Sequence, residues 1–140
     1  KYINMATVNV TLSLSSTDLF AKQTVSFTET DSLSPAGDQM LVGRLVTTGS
    51  GTEDNISLKA LDGTDDRAYV FLHNLSSTTG EYVKIGLCST HGTDSASGDW
   101  FSVLGPGEFL FMPISDMQDI DIEAAAGNPV VEYVLMEKAA

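Results

Sequence analysis

Thr7-Val8-Asn9-Val10-Thr11-Leu12-Ser13-Leu14 alternates polar and apolar residues without a break. That is the period of a β-strand with one face for a core and the other for water. The same alternation recurs along the chain. Val25 and Phe27 stand among Thr24, Ser26 and Thr28, and Ile56, Leu58 and Ala60 alternate with Ser57 and Lys59. Ile120, Ile122 and Ala124 alternate with Asp121 and Glu123. Each of these runs is expected to bury one face.

A second group is apolar on both faces: Tyr69-Val70-Phe71-Leu72, Trp100-Phe101-Ser102-Val103-Leu104, Phe109-Leu110-Phe111-Met112 and Val130-Val131-Glu132-Tyr133-Val134-Leu135-Met136. Such strands lie beneath a covering layer or carry one face into another subunit, because a single open sheet would leave too large an apolar patch in water.

Turn chemistry separates the runs. Leu33-Ser34-Pro35-Ala36-Gly37, Thr48-Gly49-Ser50-Gly51, Asp62-Gly63, Thr79-Gly80, Ser97-Gly98-Asp99 and Gly127-Asn128-Pro129 all fall between apolar segments. Gly105-Pro106-Gly107 puts Pro second and Gly third, the type II pattern. Ten short strands are predicted, near residues 6–14, 23–29, 39–48, 55–61, 67–74, 81–88, 99–104, 107–113, 118–125 and 129–137. Turns at this spacing describe a two-sheet sandwich or a closed barrel. The reading is an all-β, antiparallel two-sheet sandwich that is jelly-roll-like, with an immunoglobulin-like sandwich as the alternative. Ser16-Thr17-Asp18-Leu19-Phe20-Ala21-Lys22 is the one place for a turn or two of helix, since Ala124-Ala125-Ala126 is too short to nucleate one. No βαβ rhythm is present, which argues against a parallel sheet. Residues 1–140 are read as a single domain, with residues 1–5 as an extended N-terminal arm.

The 140 residues are 42% hydrophobic and 19% charged, a globular composition. Nineteen Asp and Glu against seven Lys and Arg set a net charge of −12. A surface of that sign repels phosphate backbones and anionic headgroups, so neither nucleic acid nor a membrane surface is an expected partner. The charge suits solubility, or docking onto a basic protein. Cys88 is the only cysteine, so the chain offers no internal disulfide and no thiolate metal site. It ends an alternating run and reads as a small core or edge residue. No apolar run is long enough to span a bilayer, and the amino end lacks a secretory pattern.

Catalytic constellations are not recognisable. A nucleophile needs a base held by a third group. The two histidines, His73 at the end of a buried-type strand and His91 in a Ser-rich loop, read as structural and solvated respectively. Glu81, Asp99 and Glu108 are the carboxylates that a glycosidase pair would draw on, but they sit at strand starts, where charged residues mark a sandwich rim. Asp62, Asp65 and Asp66 crowd one loop with Gly63, an oxygen-rich arrangement suited to calcium that lacks the ligand ladder of an EF-hand. No Gly-rich loop leads into a helix to cradle a phosphate. The Asn-x-Ser/Thr triplets at Asn9, Asn55 and Asn74 read as chance. The chain is therefore expected to be a non-enzyme without a cofactor or metal. Exposed aromatics on a sandwich could instead hold a sugar, and Trp100, Tyr82 and Tyr133 are the candidates for a ligand site or an interface.

Four segments together resemble a recurring kind of tailed-bacteriophage virion protein. They are Ala68-Tyr69-Val70-Phe71-Leu72-His73-Asn74-Leu75-Ser76, then Glu81-Tyr82-Val83-Lys84-Ile85-Gly86-Leu87, then residues 100–113 with the Leu104-Gly105-Pro106-Gly107-Glu108 hairpin, and Val131-Glu132-Tyr133-Val134-Leu135-Met136-Glu137 near the terminus. The resemblance covers the central and C-terminal two-thirds of the chain, and its motifs are generic. It implies a small sandwich protein on the virion, foremost a capsid decoration (cement) protein on the capsid surface, and otherwise a collar, tail or fibre component. It further implies a homo-oligomer, a trimer in decoration proteins, docked on the major capsid protein or another virion protein. No catalytic residue carries over. From a different class, a carbohydrate-binding sandwich module is the alternative.

Overall fold

A computed structural model describes residues 7–19, 23–33, 40–49, 51, 53–56, 68–88, 100–114 and 119–137. Ten strands follow one another: β1 (Val8–Leu19), β2 (Gln23–Leu33), β3 (Met40–Val46), β4 (Glu53–Ile56), β5 (Ala68–Asn74), β6 (Val83–Cys88), β7 (Trp100–Leu104), β8 (Phe109–Ile114), β9 (Asp119–Ala124) and β10 (Val130–Glu137). The described residues contain no helix. The expected helical turn at Ser16–Lys22 is corrected in its first part, because Ser16–Leu19 extends β1. Cross-strand pairing of Ser16 with Val25 and of Leu19 with Gln23 draws this segment into the ladder. The isolated turn has no such partner and is too short to hold itself.

Eight of the strands form two four-stranded sheets, β3-β10-β5-β8 and β4-β9-β6-β7, and every pair is antiparallel. Numbered from β3, the orders are first-eighth-third-sixth and second-seventh-fourth-fifth, the double Greek-key winding of a jelly roll. Alternation explains the core. Val70 and Leu72 of β5, Val83 and Ile85 of β6, Ile120 and Ile122 of β9, and Val131 and Leu135 of β10 point between the sheets and are wholly or almost wholly buried. Pro113 cannot donate to a ladder, and it falls on β8, an edge strand.

The remaining two strands stand apart. β1 and β2 pair only with each other, over ten register positions with an irregularity between Ser16 and Leu19. One face of this hairpin carries Val8, Val10, Leu12 and Leu14 opposite Leu33, Asp31, Glu29 and Phe27. Hydroxyls line the other, where Thr11 pairs with Thr30 at 3.1 Å and Ser13 with Thr28 at 3.4 Å. The expectation that these alternating runs bury a face is corrected here: Leu12, Leu14, Val25 and Phe27 are exposed. The physical reason is that, among the described residues, only Val8–Ser13 face the β3-β10-β5-β8 sheet, across an open groove, and no second layer closes over Leu14, Val25 and Phe27.

The loops at one end of the sandwich are bound by side-chain hydrogen bonds. Gly105-Pro106-Gly107-Glu108 makes the expected turn, with Gly107 at φ 76° and the Glu108 N–H donating to the Gly105 carbonyl at 3.1 Å. Asn74 is fully buried. Its amide donates to the carbonyls of Glu81 at 2.9 Å and Leu104 at 3.2 Å, while its oxygen accepts from the Ser76 N–H at 3.1 Å. Buried polar groups of this kind persist because each donor and acceptor is satisfied. Asn128 donates to the Thr47 carbonyl at 2.8 Å, and buried Thr47 donates to the Pro129 carbonyl, joining the exit of β3 to the entry of β10.

Candidate interaction surface

Three of the four strands that are apolar on both faces (β10, β5 and β8) lie side by side in one sheet. Their inner residues fill the core, so their outer residues make a second apolar face. Register places Val42, Val134, Phe71 and Phe111 in one row across that face. The next row holds Arg44, Glu132, His73 and Phe109, and a third holds Met40, Met136, Tyr69 and Pro113. The rings are in contact: Tyr69 stacks on Phe111 at 5.7 Å between centroids, and Phe71 lies 6.1 Å from Phe109. These pairs brace the face without covering it. Val46, Phe109 and Val42 remain 62, 61 and 58% exposed.

The N-terminal half of β1 approaches this face. Val8–Ser13 on one side and Met40, Phe71, Phe109, Phe111, Val134 and Met136 on the other wall an open groove of about 740 Å³. Arg44 stands at the margin, donating from Nε at 3.1 Å and from Nη2 at 3.0 Å to one oxygen of Glu132. Exposed apolar area of this extent on a small domain marks a contact surface more often than chance.

The other sheet is less apolar outside. Lys84 bonds Glu123 at 2.7 Å and lies 5.7 Å from the Trp100 ring centroid, while Phe101 and Val103 are exposed on the edge strand β7. Trp100 is half-buried under that clasp. Tyr82 is exposed in the turn before β6. Tyr133 faces inward, partly buried against the core and over Gly43. The three aromatics therefore lie on different surfaces and form no common platform.

His73 sits on the outer face in register with Glu132 and Phe109, its ring 6.2 Å from Phe71. Glu108 turns back to accept from the Gly105 N–H at 2.7 Å, and Glu81 accepts from the Ser76 hydroxyl, so both carboxylates serve their own turns. His91, Asp99 and the Asp62, Asp65 and Asp66 loop lie outside the described residues, as does the side chain of Cys88. Among the described residues, no three His, Cys, Asp or Glu side chains converge as a metal site. No helix there is long and apolar enough to cross a membrane.

Reading the sequence by alternation missed Met40, Val42 and Val46 as surface residues. Their signal was present in Met40-Leu41-Val42-Gly43-Arg44-Leu45-Val46, which is apolar at nearly every position. No protein-family model, curated protein or solved structure matches the chain.

Proposed function

We propose that this chain is a virion structural protein, a capsid decoration (cement) protein that binds the assembled head of a tailed phage and stabilises it. The observation that carries the reading is the outer face of the β3-β10-β5-β8 sheet, where Val42, Val46 and Phe109 are exposed beside a groove walled by β1. A jelly roll with this face is suited to burying surface against neighbouring protein. Binding only the assembled lattice would stabilise it by mass action. The partners are further copies of itself, in a trimer, and the major capsid protein. The net charge of −12 suits a basic docking surface on the lattice.

Antibody raised against the chain and applied to virions of the source phage tests this. Gold label distributed over heads, and density at many icosahedral positions in cryo-microscopy, is the expected result. Label confined to the tail vertex would make it a collar or tail part, and unlabelled virions would overturn the structural role. The carbohydrate-binding alternative loses support from the separation of Trp100, Tyr82 and Tyr133.

A further inference from the structure

The turn from β5 into β6 and the segment leading into β10 wall a pocket of about 250 Å³ at the end of the sandwich that Asn74 fastens. Hydrogen bonds fix its rim. The Leu75 N–H donates to the Val130 carbonyl at 2.9 Å, and the Thr78 N–H donates to the Ser76 hydroxyl oxygen at 3.0 Å. Ser76 in turn donates that hydroxyl to Glu81 Oε2. Gly127, at φ 66°, lies against the same carboxylate, where a Cβ would collide with Oε1. Glu81 is thus held from two sides, yet among the described residues its Oε1 accepts no hydrogen bond. No cation there reaches it either, since Arg44 and Lys84 are bonded to Glu132 and Glu123. The hydroxyls of Ser77 and Thr78 and the side-chain oxygen of Asn128 are likewise open in the same pocket.

We propose that this pocket receives a lysine side chain from a basic partner protein. Size selects a single side chain, because pockets for whole small molecules run from roughly 300 to 1,000 Å³. Leu75, Pro129 and Val130 offer apolar wall to a methylene stem, and the open oxygens of Glu81, Ser77, Thr78 and Asn128 offer acceptors to the charged head. An ammonium group carries three donors and no acceptor, which matches a ring of acceptors around one carboxylate. A guanidinium fork matches it less well. The fork binds best across both oxygens of a carboxylate, and Ser76 already holds Oε2. The net charge of −12 draws a basic surface toward the chain, and a carboxylate fixed in advance without a cation gives one of its side chains a place to land. The inference rests on the basic docking surface in the proposed function and locates one contact of it.

The test titrates Nα-acetyl-lysine methylamide into the full chain and follows the amide signals of Ser77, Thr78 and Glu81 by NMR. Saturable shifts at those amides are expected, with half-saturation in the millimolar range, because a half-open ion pair contributes little. The arginine and norleucine analogues should each need about tenfold more. Glu81→Gln should raise the half-saturation point about tenfold by removing the charge. Ser77→Asp leaves the Ser76–Glu81 bond in place and adds a second carboxylate, so it should lower that point several-fold even where Glu81→Gln disturbs the turn. Shifts that do not saturate, an arginine analogue bound as tightly as lysine, or a half-saturation point that Ser77→Asp leaves unchanged would each overturn the proposal. Lysine-selective binding with virions unlabelled supports the pocket and sinks the virion reading alone. Labelled heads without lysine-selective binding sink the pocket alone.

Discussion

Asn74 donates its side-chain amide to the main-chain carbonyl of Leu104, 30 positions away in sequence, at 3.2 Å. The bond ties the end of β5 to the end of β7, strands of opposite sheets. The same amide holds the Glu81 carbonyl ahead of β6. One buried side chain thus fastens three chain segments at one end of the sandwich.

Replacing Asn74 with Leu strips those carbonyls of their donor in a buried setting. A loss of about 2–4 kcal/mol is expected, because leaving buried acceptors unpaired costs more than the bond itself contributes. Urea denaturation followed by tryptophan fluorescence measures it. A change below about 0.5 kcal/mol, within the range of ordinary surface substitutions, would show that the clasp is dispensable.

Gly43 lies in register with Tyr133, and a Cβ there would meet the ring, with Cε1 at 3.0 Å and the hydroxyl nearer still. Gly43→Ala is expected to destabilise by about 1–3 kcal/mol through overpacking. Paired with Tyr133→Ala, the added methyl finds room, and the cost of the alanine at 43 should largely vanish. Additive losses in the double-mutant cycle would place the cost elsewhere, in the backbone of β3.

Burial separates two otherwise similar aliphatic positions. Leu72 is completely buried, and Leu72→Ala is expected to cost about 2–5 kcal/mol. Val46 is 62% exposed, and Val46→Ser is expected to stay within about 0.5 kcal/mol for the isolated chain at low concentration. Equal losses at the two positions would mean that the outer face is covered in the monomer.

Two ion pairs should respond differently to salt. Arg44–Glu132 has side chains 65% and 32% exposed, so Arg44→Ala should cost under about 1 kcal/mol and less as salt is raised. Lys84–Glu123 has side chains 33% and 13% exposed, with Trp100 beside the ammonium group. Lys84→Ala should therefore cost more, and its effect should persist at 1 M salt. Thermal melts of both variants at low and high ionic strength check the order.

Much of the fold was legible because alternation is a local record. Nine of the ten strands stand close to their expected positions, while β4 meets its expected span of 55–61 only at Asn55 and Ile56, the remainder lying outside the described residues; the Gly105–Glu108 turn follows from Pro and Gly at the two positions its geometry needs. The candidate surface was legible only in part. Tyr69–Leu72, Phe109–Met112 and Val130–Met136 announced strands with no polar side. Nothing in those segments says that β10 lies between β3 and β5, which is what merges their outer residues into one face. Trp100, Tyr82 and Tyr133, the candidates for a ligand site or an interface, lie on different surfaces, since position along the chain does not fix which sheet, or which side of it, a residue joins.

The alternating stretch from Thr7 to Leu14 shows where the division falls. By itself the sequence determined that this segment is a strand with apolar side chains on one face, because a period of two leaves no other regular backbone. Ile120 and Ile122 carry the same period and are buried, whereas Leu12 and Leu14 are exposed. Only the tertiary structure decided between those fates: β9 pairs into a sheet with a second layer over it, and β1 pairs with β2 alone. A strand's period records which residues share a face; what covers that face depends on contacts between segments far apart in sequence.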